Sequence, residues 1–291
     1  MFRDMFGDHN NRLISAAKSA NASQVEKALA GGARPDFQDK AGDTALIWAA
    51  RNGHTETVQR LIDAGANVDL QNKNGDTALI WATSNRHAEA VQRLIDAGAN
   101  ADLQNKNGTT ALIWAARNVH AETVQRLIDA GANVDLQNEY GTTALIWAAG
   151  NGHAETVRQL IDAGAHADIQ NKYGNTALIC AAYSGLTETV QRLIDAGANA
   201  DLQNKAGNTA LICAARNGHV GTIAGIEAAF VTTPARDRIA AQLASRGFSG
   251  SQIAAVFHTL AAENVDFLST DQSRQREQRQ PNYQLPPSPR F

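Results

Sequence analysis

The chain has 291 residues, 43% of them hydrophobic and 19% charged, with a formal net charge of -3. That balance describes a folded chain with room for one large domain or two ordinary ones, and its mild acidity points away from nucleic acid. No apolar run approaches the ~18 residues of a membrane span, and MFRDMFGDHNNRL lacks the ~7–15-residue apolar stretch of a secretory signal, so the expected setting is the cytoplasm.

A 33-residue period organises most of the chain: Thr44, Thr77, Thr110, Thr143, Thr176 and Thr209 each open the phrase Thr-Ala-Leu-Ile. A fixed period of this size means stacked units. Residues 42–74 and 75–107 differ at only six positions, which points to recent internal duplication.

In chain order, residues 9–41 fit the frame through Leu13, Ile14, Ala16, Ala17, Val25, Leu29 and Gly32, but Lys18, Asn21, Lys27 and Arg34 make this unit more polar. It reads as an N-terminal cap. In the first full unit, 42–74, Thr44 is placed to cap a short helix carrying Leu46, Ile47, Ala49 and Ala50. RNGH breaks that helix, and His54 or Thr55 starts a second one with Val58, Leu61 and Ile62 on one face and Glu56 near its positive end. Gly65 stands where the chain must turn left-handed, and ANVDLQNKNGD runs out to an Asn-Gly of the kind that tips hairpins. Units 75–107, 108–140, 141–173 and 174–206 repeat this order, and 207–230 is a degenerate last unit ending near Phe230.

Gly42-Asp43-Thr44-Ala45-Leu46-Ile47, followed by Ala49-Ala50, Gly53-His54, Val58, Leu61-Ile62 and Gly65-Ala66, resembles the ankyrin repeat over residues 9–230. The resemblance implies an all-α solenoid of about seven helix-turn-helix units with β-hairpin loops. Two departures recur. Alanines such as Ala45 replace the family's usual proline, at small cost because alanine is the best helix former, and isoleucines such as Ile47 replace its histidine, exchanging a polar tie for apolar burial.

After Phe230 the composition changes. Thr233-Pro234 opens an expected helix over Ala235–Ser245, Ser249 or Ser251 starts another with Ile253, Val256, Phe257 and Leu260, and Val265, Phe267 and Leu268 form a third piece. Residues 231–268 are therefore expected to cover the open end of the solenoid; a Gly-Phe after the first helix faintly resembles a ubiquitin-associated module. Residues 269–291, rich in Gln, Arg and Pro, lack an apolar face and are expected to be disordered, with Pro286 and Pro289 in a PxxP pattern.

Chemistry-bearing patterns are sparse. The histidines His54, His87, His120, His153 and His219 recur at one site of the unit, about 8–10 Å apart between neighbouring packed helices, whereas zinc needs ligands converging at about 2.0–2.1 Å. The expected role is a hydrogen bond at the helix start. Cys180 and Cys213, one unit apart, replace earlier tryptophans as small apolar fillers. Asp63, Asp96, Asp129, Asp162 and Asp195 form a surface row, not a facing pair, and no phosphate loop or HExxH occurs. The expectation is a non-enzyme with no cofactor, metal or small-molecule substrate.

Function is then expected where the copies differ. The resemblance implies contacts at the hairpin tips and the concave face of the first helices. The tip series runs Ala41, Asn74, Asn107, Tyr140, Tyr173, Ala206, and the first-helix series Arg51, Ser84, Arg117, Gly150, Tyr183, Arg216. Tyrosine and arginine are enriched in interface hot spots, so Arg51, Arg117, Tyr140, Tyr173 and Tyr183 are the expected anchors for a partner protein, with Trp114 and Trp147 beneath. Trp48, Trp81, Trp114 and Trp147 are expected to pack between helices, because a fully exposed row would be a sticky patch. The alternative is a microbial effector or adaptor delivered into a host cell, its C-terminal helices recruiting a second factor such as ubiquitin.

Overall fold

The computed structural model describes residues 2–228 and 240–258, without 242, 245 and 246. Six helix pairs follow an N-terminal pair, α1 (Phe2–Lys18) with α2 (Ala22–Ala30). They are α3 (Ala45–Arg51) with α4 (Thr55–Asp63), α5 (Ala78–Ser84) with α6 (Ala88–Asp96), α7 (Ala111–Arg117) with α8 (Ala121–Asp129), and α9 (Ala144–Asn151) with α10 (Ala154–Asp162). Then come α11 (Ala177–Tyr183) with α12 (Thr187–Asp195) and α13 (Ala210–Asn217) with α14 (Val220–Ala228), and last α15 (Gly250–His258). First helices pack on first helices and second on second, which makes a two-layer stack, the expected solenoid.

Each first helix starts because a threonine hydroxyl takes an otherwise orphaned N–H: Thr44 Oγ1 accepts from Ile47 N at 3.1 Å, and the same bond recurs at Thr77, Thr110, Thr143, Thr176 and Thr209. These helices are short, seven or eight residues. A helix of that length is marginal alone, so packing must hold it. Leu46, Leu79, Leu112, Leu145 and Leu178 are each 1% exposed, and Val58, Leu61 and their equivalents are fully buried. At about 1.5–3 kcal/mol per fully buried aliphatic side chain, the shared core outweighs the local preferences of any one unit. Gly65 turns the chain at φ 80°, as its position after the second helix requires.

The loops between units form no strand among the described residues. Their tips close on an asparagine instead: Asn72 Oδ1 accepts from the N–H groups of Asn74 and Asp76, and Asn72 N donates to the Asp76 carbonyl. Remaining polar groups are satisfied sideways. Lys73 N donates to Ala41 O at 3.0 Å, and the equivalent bond follows at Lys106, Glu139, Lys172 and Lys205. The Gln38 amide donates to its own loop at Gly42 O and to the next loop at Gln71 O, and Gln71, Gln104, Gln137 and Gln170 repeat the double bond.

The histidine ladder differs from its expected role. His54, His87, His120 and His153 precede the second helices, but none makes a side-chain cap bond. The rings reach back one unit instead: His54 Nε2–H donates to Lys18 O at 3.1 Å, His87 to Arg51 O at 3.2 Å and His219 to Tyr183 O at 3.0 Å. The ring serves the carbonyls at the end of the preceding first helix, sharing Lys18 O with the Asn52 amide and Arg51 O with the Asn85 amide.

At the C-terminal side, Leu243 is fully buried, and Phe248 and Ile253 pack on the core. Ser249 starts α15 with a reciprocal cap, its Oγ accepting from Gln252 N while Gln252 Oε1 accepts from Ser249 N. Phe230, residues 235–239, the Val265–Leu268 piece and the 269–291 tail with its PxxP pattern lie outside the described residues. No described helix is long and apolar enough to cross a membrane.

Candidate functional site

The two layers carry their charge differently. On the second helices, Glu56–Arg60, Glu89–Arg93, Glu122–Arg126 and Glu188–Arg192 are ion pairs one turn apart, and Arg158 bridges Glu155 and Asp162. Asp63, Asp96, Asp129 and Asp195 accept from glutamines one turn earlier. The expected acidic row is thus tied within its own helices.

On the first helices, arginine meets tryptophan. The Arg51 guanidinium lies 5.2 Å from the Trp48 ring and 4.1 Å from the Trp81 ring of the next unit. Arg117 repeats this between Trp114, at 5.2 Å, and Trp147, at 4.9 Å. A cation over an indole face is worth about 0.5–2 kcal/mol, more as water is excluded. Burial pushes the Arg117 pKa down from its ordinary value. Trp81 and Trp147 are 6% exposed, while Trp48 and Trp114 are half-buried, so the indoles both pack and line the face.

The same surface runs on to the loop tips. Lys18 sits over Trp48 at 3.9 Å, and Trp48 Nε1–H donates to Asp39 Oδ2 at 3.0 Å. Burial works against the Asp39 carboxylate, but the Trp48 N–H and the N–H groups of Ala41 and Asp43 outweigh it and hold its pKa low. Asp43 and Asp76 are buried at the foot of the tips, where Asn72 donates to Asp43 at 2.7 Å and Asn105 to Asp76 at 2.8 Å. Burial raises the Asp76 pKa, opposed by the Asn105 bond. Along the rim, Lys40, Lys73, Lys106, Lys172 and Lys205 are exposed, and Glu139 interrupts the row.

Of the expected anchors, Arg51 and Arg117 join Trp48, Trp81, Trp114 and Trp147 on the first-helix face. Tyr140 and Tyr173 are neighbours on the rim; Tyr173 is 50% exposed, and the Tyr140 hydroxyl bonds Glu139, whose charge helps raise the phenol pKa. Tyr183 lies apart from them, half-buried against the core at the end of α11. Asp39 was not named from the sequence, Lys18 was read only as part of a more polar cap and Trp48 as packing between helices, although Lys18 stands 33 residues before Arg51 and so occupies its place in the frame.

Cys180 and Cys213 are buried and not joined in a disulfide; burial pushes Cys213 up to about 12, which removes it as a nucleophile. Among the described residues no group of three or more His, Cys, Asp or Glu could hold a metal.

The family model for ankyrin repeats matches residues 13–103, 86–171 and 151–225. The chain belongs to the ankyrin repeat family. Ankyrin repeats are generally protein–protein interaction modules. The crystal structure of the ankyrin repeat domain of Bcl-3, described as a unique member of the IkappaB protein family, is similar at 29% identity and TM-score 0.63, covering 69% of this chain and 92% of that one. In all, 596 chains of solved structures match, too broad a set for the ankyrin fold itself to name a partner. No curated protein matches.

Proposed function

We propose that this chain is a non-catalytic scaffold that binds another protein through its loop tips and first-helix face, with Arg51, Arg117, Tyr140, Tyr173 and Tyr183 as anchors over Trp114 and Trp147. One observation carries the reading. The second helices are nearly the same in every full unit, TETVQRLID, AEAVQRLID, AETVQRLID, AETVRQLID and TETVQRLID, whereas the variable positions, among them those of the arginines and tyrosines, gather on the rim and the first-helix ends. A surface held by the laced tips meets a partner already ordered, so association escapes much of the cost of immobilising side chains and loops.

Affinity capture tests this with the intact chain beside a Tyr140→Ala, Tyr173→Ala, Arg117→Ala variant whose circular dichroism matches the parent. The expected result is a protein captured by the parent and lost from the variant. A partner retained by that variant and released instead by charge reversal on the second helices, for example Glu122→Arg, overturns the reading.

A further inference from the structure

Resting on that reading of the loop tips, we propose that the rim binds an acidic segment of a partner protein in polyproline II conformation, one turn per unit. Matched to Lys40, Lys73, Lys106, Glu139, Lys172 and Lys205 in that order, its charges at every third residue run acidic, acidic, acidic, basic, acidic, acidic.

The rim row has one member per unit, and the backbone fixes its place. Lys73 N donates to Ala41 O of the preceding tip, and the N–H groups of Lys106, Glu139, Lys172 and Lys205 do the same. A Cβ on Gly42 would stand 2.8 Å from Lys73 N, and one on Gly75, Gly108, Gly141 or Gly174 between 2.8 and 3.0 Å from the N atom of the next member. Neighbouring tips thus touch backbone to backbone, and a partner meets charges whose attachment points are already set. All six side chains are exposed, and among the described residues none of the five ammonium groups has an ion-pair partner. The second-helix arginines differ, since carboxylates of their own helices hold them. The carboxylates beneath the rim are engaged too, Asp43 by Asn72 and Asp76 by Asn105, and the Tyr140 hydroxyl donates to Glu139. What the rim offers is therefore a field that draws carboxylates everywhere but at Glu139.

The step from unit to unit selects the conformation of the occupant. Stacked units stand about 8–10 Å apart. A polyproline II chain rises about 3.1 Å per residue with three residues per turn, so every third side chain points the same way, about 9.3 Å from the last. A β-strand presents every second side chain at about 6.6 Å, which falls out of step within two units. A helix docks by laying an apolar face in a groove, and these projecting tips carry Lys40, Lys73, Asn74, Lys106 and Asn107 instead. Tyr140 and Tyr173, neighbours on the same rim, supply rings of the kind against which polyproline II chains pack.

A single-stranded nucleic acid is the other extended polyanion, and the rim suits it less well. It carries a phosphate on every nucleotide and no cation, so nothing on it answers Glu139, and Asp43 and Asp76 lie beneath the row.

The test titrates the full chain with fluorescein-labelled peptides by anisotropy at about 20 mM salt, where screening is weak. The matched peptide has glutamate at every third position except the fourth of these, which is lysine, with serine and proline between. A permuted peptide of the same composition and net charge exchanges that lysine with the first glutamate, a third keeps the matched order at every second position, and a single-stranded oligonucleotide of similar length is the fourth probe. With each exposed pair expected to change affinity about two- to fivefold, the matched peptide should bind about tenfold tighter than the permuted one and tighter than the other two probes. Glu139→Lys, an exposed change, should abolish the difference between matched and permuted peptides. Equal binding of those two by the parent chain, a difference that survives Glu139→Lys, equal binding at the shorter spacing, or tighter binding of the oligonucleotide overturns the proposal. Should a Lys73→Glu, Lys106→Glu variant keep a captured protein that the Tyr140→Ala, Tyr173→Ala, Arg117→Ala variant loses, the charge pattern fails while the partner-binding face stands; should both variants keep it, the face fails as well.

Discussion

Consider two kinds of joint between neighbouring units. At Gly53 and Gly185 the chain turns left-handed, at φ 70° and 71°, on a residue without a Cβ, and the next unit's histidine lies against it: a Cβ on Gly53 would stand 2.4 Å from the His87 ring, and one on Gly185 2.5 Å from that of His219. At the matching sites in the middle of the stack stand Arg86 and Val119, also left-handed at φ 66° and 64°. There the histidines lose their place. His120 has both ring nitrogens buried without a partner, and His153 turns over, its Nδ1–H donating to Ala116 O in place of the residue 117 carbonyl. The adjoining asparagine bond lengthens too, from 2.8 Å for Asn85–Arg51 to 3.4 Å for Asn118–Ser84 and Asn151–Arg117. With the smaller Ala20 at the same site, left-handed at φ 55°, His54 keeps its bond to Lys18 O, so the joint loosens where the side chain at the turn is larger than a methyl.

Copying the weak joint into a strong one is the severest way to break this contrast. Gly53→Val combines a β-branched residue at positive φ with a clash against His87, and is expected to cost about 2 kcal/mol or more in urea unfolding. The converse, Val119→Gly, relieves a left-handed turn on an exposed valine and frees the site for His153; a gain of about 1 kcal/mol is expected, reduced by glycine's extra freedom in the unfolded chain. No gain would show the joint to be unstrained. A subtler effect should appear with pH. Burial, and then the charge of Arg86, lower the His120 pKa, so the unfolded chain binds a proton more readily than the folded one. Stability should fall as pH drops from about 7.5 to about 5.5, and His120→Asn should flatten that part of the profile. Least affected of all is the outer layer, where Glu122→Gln, breaking an exposed ion pair with Arg126, should shift the midpoint by less than about 0.5 kcal/mol.

Much of this architecture is legible in the letters, because its causes are local. Thr44 precedes an apolar turn and caps it, Gly65 follows an amphipathic turn and bends left, and Ser249 with Gln252 spells a capping box. What the letters conceal depends on a neighbour one unit away. The Asn-Gly tips suggest hairpins, but their backbone groups pair sideways with the adjoining loop, as Lys73 does with Ala41. His87 looks like a helix start, yet the acceptor that claims it is Arg51 O, 36 residues earlier. The stacking of Arg51 was hidden for the same reason. Trp48 is within its own helix, but Trp81 becomes its neighbour only when two copies stack. Arg86 and Val119 were visible as departures from glycine, and their cost emerges only with the histidine that must fit against them.

The alternation of Arg51, Ser84, Arg117 and Gly150 bears on a hazard of every tandem array. An unbroken series of equal docking points would let a bound strand slip along by one unit and settle again at no cost. Two guanidiniums held between indoles with a gap between them, and cysteines at 180 and 213 ending the indole series, make successive places on this face unequal. Imperfect copying thus gives a uniform stack places that can be told apart.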